Sequence, residues 1–156
     1  MTATRHDRPI LVPVDFSPYS EAALLFAAEQ AKCLGNPLLV LHVVHDPGDM
    51  PGYYSRAMKK KPLHRIEDGA SAMLEKFLRR IVKNHPEFKK LSGVDSLLVT
   101  GLPTTRILEV AEKRDAAMIV LGSKGLTGIK HLLMGSVAER VVQLADIPVT
   151  VVKADI

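Results

Sequence analysis

A single cysteine, Cys33, cannot close an internal disulfide, which excludes a disulfide-stapled scaffold and gives a reducing, cytoplasmic setting as the expectation. Long apolar runs are missing too. The longest uncharged apolar stretch, Leu34 to Val44, is far short of the roughly 20 residues a membrane span needs. Met1 to Pro9 carries Arg5, Asp7 and Arg8 in place of an apolar leader core, so no membrane partner is expected. Two nucleotide signatures are absent. The first apolar run is followed by Asp15-Phe16-Ser17-Pro18 rather than G-x-G-x-x-G, which excludes a dinucleotide fingerprint, and no G-x-x-x-x-G-K-[ST] occurs, which argues against a P-loop motor or kinase. The third apolar run ends in Thr100-Gly101, not in the acid a phospho-acceptor receiver would want. Neither charge dominates: 21 Lys and Arg against 17 Asp and Glu leave a net +4, which permits an anionic partner without requiring one.

What is present reads as one globular domain over residues 1–156, with 47% apolar residues, no internal repeat and no linker. Five apolar runs, Ile10 to Val14, Leu38 to Val44, Val94 to Val99, Met118 to Leu121 and Val149 to Val152, suit strands buried on both faces of a parallel sheet. Four helical patterns lie between them. The first opens at Ser17-Pro18 and runs to about Gly35, a hydroxyl cap followed by proline at the first helical position. Cys33, near its end, reads as a small core residue. The second carries Leu63, Ile66, Ala70, Met73, Leu74, Phe77, Leu78, Ile81 and Val82 on one face and stops at Asn84-His85-Pro86. The third follows Pro103, with Ile107, Leu108 and Ala111 inward; the fourth follows Ser136, with Val137, Val141 and Val142 inward. Strands alternating with helices predict an α/β, doubly wound sheet.

Two connections are too long for simple turns, His45 to Pro62 and Gly122 to Gly135. The second joins the fourth strand to the fourth helix. Its glycines allow positive φ and close approach to a ligand, Lys124 and Lys130 add positive charge, and no acid falls between Gly122 and Ala138. The helix start after Gly135 offers free N–H groups to an anion. The competing structural reading is that Ser136-x-x-Glu139 is a capping box and nothing more. Ligands of doubly wound sheets sit beyond the carboxyl ends of the strands, where strand order reverses. If the first and fourth strands are neighbours there, Asp15 and the glycine loop face one crevice.

The spacing Gly122-x2-Gly125-x9-Gly135-Ser136 resembles the ATP-binding pattern G-x2-G-x9-G-[ST] of the universal stress protein family. Pro13-Val14-Asp15-Phe16-Ser17, Leu41-His42-Val43-Val44, Gly101-Leu102-Pro103 and Ile119-Val120-Leu121-Gly122 resemble its strand ends, and the likeness runs from about Ile10 to Val152. It implies a five-stranded parallel sheet of order 3-2-1-4-5 with helices on both faces, an adenine nucleotide alpha hydrolase-like fold. By position, the Val43 main chain would meet the adenine edge, with Pro13 and Asp15 lining adenine and ribose. Gly122 and Lys124 would lie by the ribose, and Gly125, Gly135, Ser136 and Val137 would offer N–H groups to the phosphates. The cofactor so implied is ATP or another adenine nucleotide, with Mg²⁺ bridging phosphate oxygens. Two positions depart from the pattern. Ala138 replaces a hydroxyl that some members place beside the terminal phosphate, and Ala117 replaces an aspartate in what reads as a structural position. The family also implies a homodimer paired through the last strand, Val149 to Val152.

Other features carry less. Lys59-Lys60-Lys61 with Tyr53-Tyr54, Arg56 and Arg65 forms a basic stretch. With three tyrosines and four phenylalanines in the whole chain, a flap over the nucleotide is preferred to nucleic-acid stacking. His42 and His45 point to opposite faces of a strand and cannot readily share a metal ion. The reading is an ATP-binding, cytoplasmic stress-response regulator acting through nucleotide-dependent conformation and partner binding. Its rivals are a slow Mg-dependent ATPase, with Asp15, His131 or Glu139 as candidate bases none of which is fixed beside a water, and a nucleotide-free homodimeric scaffold.

Overall fold

Side chains alternate in and out along a strand, so an apolar run with both parities buried must be covered on both faces. That is the arrangement found in a computed structural model, which describes residues 7–45, 66–126 and 133–154. Strands β1 (Ile10–Pro13), β2 (Leu38–Val44), β3 (Asp95–Thr100), β4 (Met118–Gly122) and β5 (Val149–Val152) form one sheet, ordered β3-β2-β1-β4-β5. Every pairing is parallel, with Ile10 opposite both Leu38 and Met118. Helices α1 (Pro18–Leu34), α2 (Ile66–Asn84), α3 (Pro103–Lys113) and α4 (Ser136–Leu144) are the crossovers. The expected α/β class and strand order are therefore observed.

The two parities build two cores. Ile10, Val12, Val14, Val40 and Val120 pack with Ala23, Leu24 and Ala27 of α1 and Leu74, Phe77 and Ile81 of α2. Leu11, Leu39, Leu41, Val43, Ile119 and Leu121 pack with Ile107, Val110 and Ala111 of α3 and Ala138 and Val141 of α4. A one-residue slip in any central strand would exchange these sets.

Local chemistry sets the helix ends. The Ser17 side chain accepts from the Ser20 N–H at 3.2 Å, Pro18 supplies a preset φ, and Gly35 closes α1 at φ 74°. Pro86 ends α2, as the sequence predicts, but the chain then makes a 3-10 stretch, Pro86–Gly93, that the apolar pattern did not disclose. β3 lies one residue later than its apolar run, at Asp95–Thr100.

Inward assignments at Cys33, Val142 and Ile66, which is 46% exposed, are corrected, and so is the cap assignment at Ser136. Cys33 is exposed: the buried face of α1 passes through Ala27 and Ala31, and two residues further turns the side chain to the far side. Val142 is 45% exposed, because Ala138 and Val141 take the inner face of α4. Ser136 is not the cap of α4; Gly135 holds that position, with φ −76° and ψ 156°, and no side chain bonds the helix start.

Candidate functional site

Because β1 is flanked by β2 on one side and β4 on the other, the two crossovers leaving β1 and β4 depart to opposite faces. Their divergence beyond the ends of β1 and β4 is the topological switch point at which doubly wound sheets form a crevice. Two segments meet there. The β1–α1 turn carries Asp15, half-buried; its Oδ1 accepts from the Ser17 N–H at 3.1 Å and its own N–H donates to Ser20 Oγ at 3.4 Å. Across the crevice its Oδ2 accepts from the Leu126 N–H at 3.0 Å. One carboxylate thus joins the first turn to the glycine loop.

The loop is also closed on itself. Ser123 N–H donates to the Val152 carbonyl at 2.9 Å, and Gly135 N–H donates to the Ser123 carbonyl at 2.7 Å, drawing the two ends of the loop together. Gly135 therefore spends its N–H inside the loop. Ser136 and Val137 follow as the first residues of α4, where N–H groups have no intrahelical acceptor. Ala138 is 3% exposed and faces the sheet, so a hydroxyl there would not reach outward.

The glycines are explained by close approach and not by positive φ, which among the described glycines is confined to Gly35 and Gly101. A Cβ on Gly122 would stand 2.7 Å from the Tyr19 carbonyl carbon, and one on Gly125 would stand 2.7 Å from Asp15 Oδ2. At Gly135 the nearest atom, Lys124 Cα, is 3.4 Å away. Lys124 Nζ sits 6.0 Å from the centre of the Tyr19 ring, which carries its charge over α1 at the crevice edge.

Val43 enters through its main chain. Leu41 and residues of the same parity direct N–H and C=O toward β1, as the 2.8 Å bond from Val14 N–H to the Leu41 carbonyl records. Val44 faces the other way, its carbonyl accepting from Gly101 N–H at 3.1 Å. Val43 accordingly directs its main-chain groups past the end of β1, toward the crevice, while Pro13 lies half-buried at that end.

The sequence assigns neither of two further residues to this crevice. Phe16 has φ 67°, rare for a bulky residue, and its ring stacks on His42 at 4.2 Å. His42 is 3% exposed, with Nδ1 2.7 Å from the Val14 carbonyl; the carbonyl only accepts, so Nδ1 carries the hydrogen. Burial pushes the imidazole below its ordinary pKa, opposed by the Val14 bond and the charge of Asp15. The Asp-x-Ser spacing could have announced the Asp15–Ser17 turn; nothing in the sequence announces the φ of Phe16.

Ala117, read as structural, is half-buried and donates its N–H to the Pro9 carbonyl at 2.8 Å. The basic stretch from Tyr53 to Arg65, together with Lys130 and His131, lies outside the described residues. Among the described residues no group of three or more His, Cys, Asp or Glu could hold a metal ion, and no helix is long and apolar enough to cross a membrane.

Fold and loop geometry together define a doubly wound α/β protein in which Asp15 and the glycine loop meet at the β1/β4 switch point. The universal stress protein family model matches residues 7–153, and the chain belongs to that family. It is 30% identical to the universal stress protein MJ0577 of Methanocaldococcus jannaschii over 162 aligned residues, covering 94% of each chain. The solved structure of MJ0577 superposes with a TM-score of 0.64 at 25% identity, over 97% of this chain and 99% of that one. A universal stress protein of Archaeoglobus fulgidus, solved in complex with dAMP, superposes with a TM-score of 0.59 at 27% identity, over 94% and 98% of the two chains.

Proposed function

We propose that this chain binds ATP in the β1/β4 crevice and serves as a cytoplasmic stress-response regulator, its nucleotide state altering its shape and its partners. The observation that carries the reading is the Asp15 carboxylate, which sits at the end of β1 and bonds the glycine loop at Leu126. A relative solved with dAMP supports an adenine ligand. In this reading Pro13 and Asp15 line adenine and ribose, and the Val43 main chain meets the adenine edge. Gly122 and Lys124 lie by the ribose. The N–H groups of Gly125, Ser136 and Val137 face the phosphates, with Gly135 holding the loop closed behind them. Mg²⁺ brought in with the nucleotide would neutralise phosphate charge, since the described residues supply no carboxylate cluster of their own for it. The chain acts as a homodimer through β5.

Freshly purified protein, denatured and analysed by chromatography with mass detection, should release an adenine nucleotide. Emptied protein should be stabilised by about 2.7 kcal/mol when ATP·Mg reaches a hundred times its dissociation constant. Gly135→Val, whose branches would wedge against Lys124 and part the loop ends, should lose that shift. No released nucleotide and no shift at millimolar ATP would favour the nucleotide-free scaffold. Metal-dependent ATP turnover abolished by Ser136→Ala would favour the slow ATPase.

A further inference from the structure

The β1–α1 turn that aims Asp15 is held in an unfavourable shape. Phe16 lies in the left-handed region at φ 67°, between the residue that bonds the glycine loop and the residue that caps α1. A bulky residue stays there only when its surroundings fix it. Two contacts do so from the next strand. His42 Nδ1 donates to the carbonyl of Val14, one residue before Asp15, and the His42 ring lies 4.2 Å from the Phe16 ring at 30°. Phe77 of α2 closes the far side at 5.6 Å, edge-on.

We propose that His42 is a positioning residue for the crevice: its Nδ1 bond to Val14 and its stack on Phe16 hold the turn that presents Asp15 to the glycine loop, so that ligand affinity depends on the neutral imidazole. The ligand half of this rests on the crevice being the nucleotide site. A second proton would place a charge on a ring 3% exposed. Among the described residues, Asp15 is a charged group acting on that ring. Phe16 on the same turn, Phe77 on α2 and Leu98, opposite His42 on β3, carry none. Protonation of the ring in acid therefore loosens the turn.

Two variants separate the contributions. His42→Asn keeps an amide donor where Nδ1 stands and removes the titration; His42→Phe keeps a ring against Phe16 and removes the donor. Without ligand, the amide proton shifts and exchange of Ser17 and Leu126, the two donors to Asp15, report the turn directly. At pH 7.5 both signatures should weaken in part in His42→Asn, which loses the stack, and be lost in His42→Phe, which loses the donor. ATP affinity at pH 7.5 should fall about tenfold in His42→Phe. Wild type should lose up to about tenfold per pH unit below the point where the imidazole takes up its proton. His42→Asn should retain only the pH dependence of ATP itself. Unchanged amide signatures in folded His42→Phe, or identical pH profiles for wild type and His42→Asn, would overturn the proposal. Altered signatures in a protein that takes no nucleotide would leave the turn's support in place and refute the nucleotide reading instead.

Discussion

A methyl group on Gly122 would lie 2.7–2.9 Å from the main chain and Cβ of Tyr19, atoms fixed in the first turn of α1. On Gly125 the same methyl would meet Asp15 Oδ2 at 2.7 Å, the end of a side chain that can rotate away. Two glycines of one motif therefore answer to different constraints. Gly122→Ala should cost about 1–3 kcal/mol of stability, read as a lowered urea midpoint with an unchanged slope. Gly125→Ala should stay within about 0.5 kcal/mol of wild type while displacing Asp15 and weakening ATP, read by calorimetric titration. Equal stability losses at both sites would contradict this division. His42 adds a pH dependence to the fold itself. Its pKa is lowered on folding from the ordinary 6.5, so between the two values the unfolded chain binds the proton that the folded chain refuses. The stabilisation is fully present above pH 6.5 and is lost as pH falls toward the folded value, and His42→Asn should flatten that part of a urea-midpoint profile.

Elements whose boundaries rest on local chemistry could be read from the chain. Ser17-Pro18 and Gly35 mark α1 because a hydroxyl cap, a preset φ and a residue tolerant of φ 74° are each tied to one residue type. The strands could be read as well, since a four-residue run such as Ile10–Pro13 can bury both parities only inside a covered parallel sheet. Ser136 misleads for an equally local reason. Ser-x-x-Glu is a capping box only if the serine stands outside the helix, and here Gly135 takes that place because its N–H is tied back to Ser123. Cys33 and Val142 fail through phase: each sits in an apolar stretch, but on a helix the position around the axis decides burial, and their neighbours Ala31 and Val141 hold the inner positions. At the crevice the positions of Asp15 and of the glycine loop were foreseeable from strand order. The Asp15–Leu126 bond, the Phe16 conformation and the His42 stack depend on contacts between segments distant in sequence, which no local pattern encodes.

For the whole molecule, the question is what the outer edge of β5 meets. Among the described residues β5 pairs on one side only, with β4, and all four of its residues are half-buried. Pro148 and Val152 turn their carbonyls to Ile119 and Ser123, so residues of that parity face inward and Val149 and Val151 present their main-chain groups at the free edge. Val142 and Leu144, 45% and 50% exposed on the neighbouring α4, extend the apolar surface beside that edge. A bare apolar edge is a template for another strand, and a second copy related by a two-fold axis satisfies both β5 edges at once. Sizing with light scattering should therefore give a dimer at micromolar concentration. Val151→Pro removes a donor that points outward and leaves the β4 ladder bonds intact, as proline permits on an edge strand. It should yield a folded monomer. A wild-type chain that stays monomeric at that concentration would refute the dimer, and a Val151→Pro dimer as strong as wild type would place its contact elsewhere than β5.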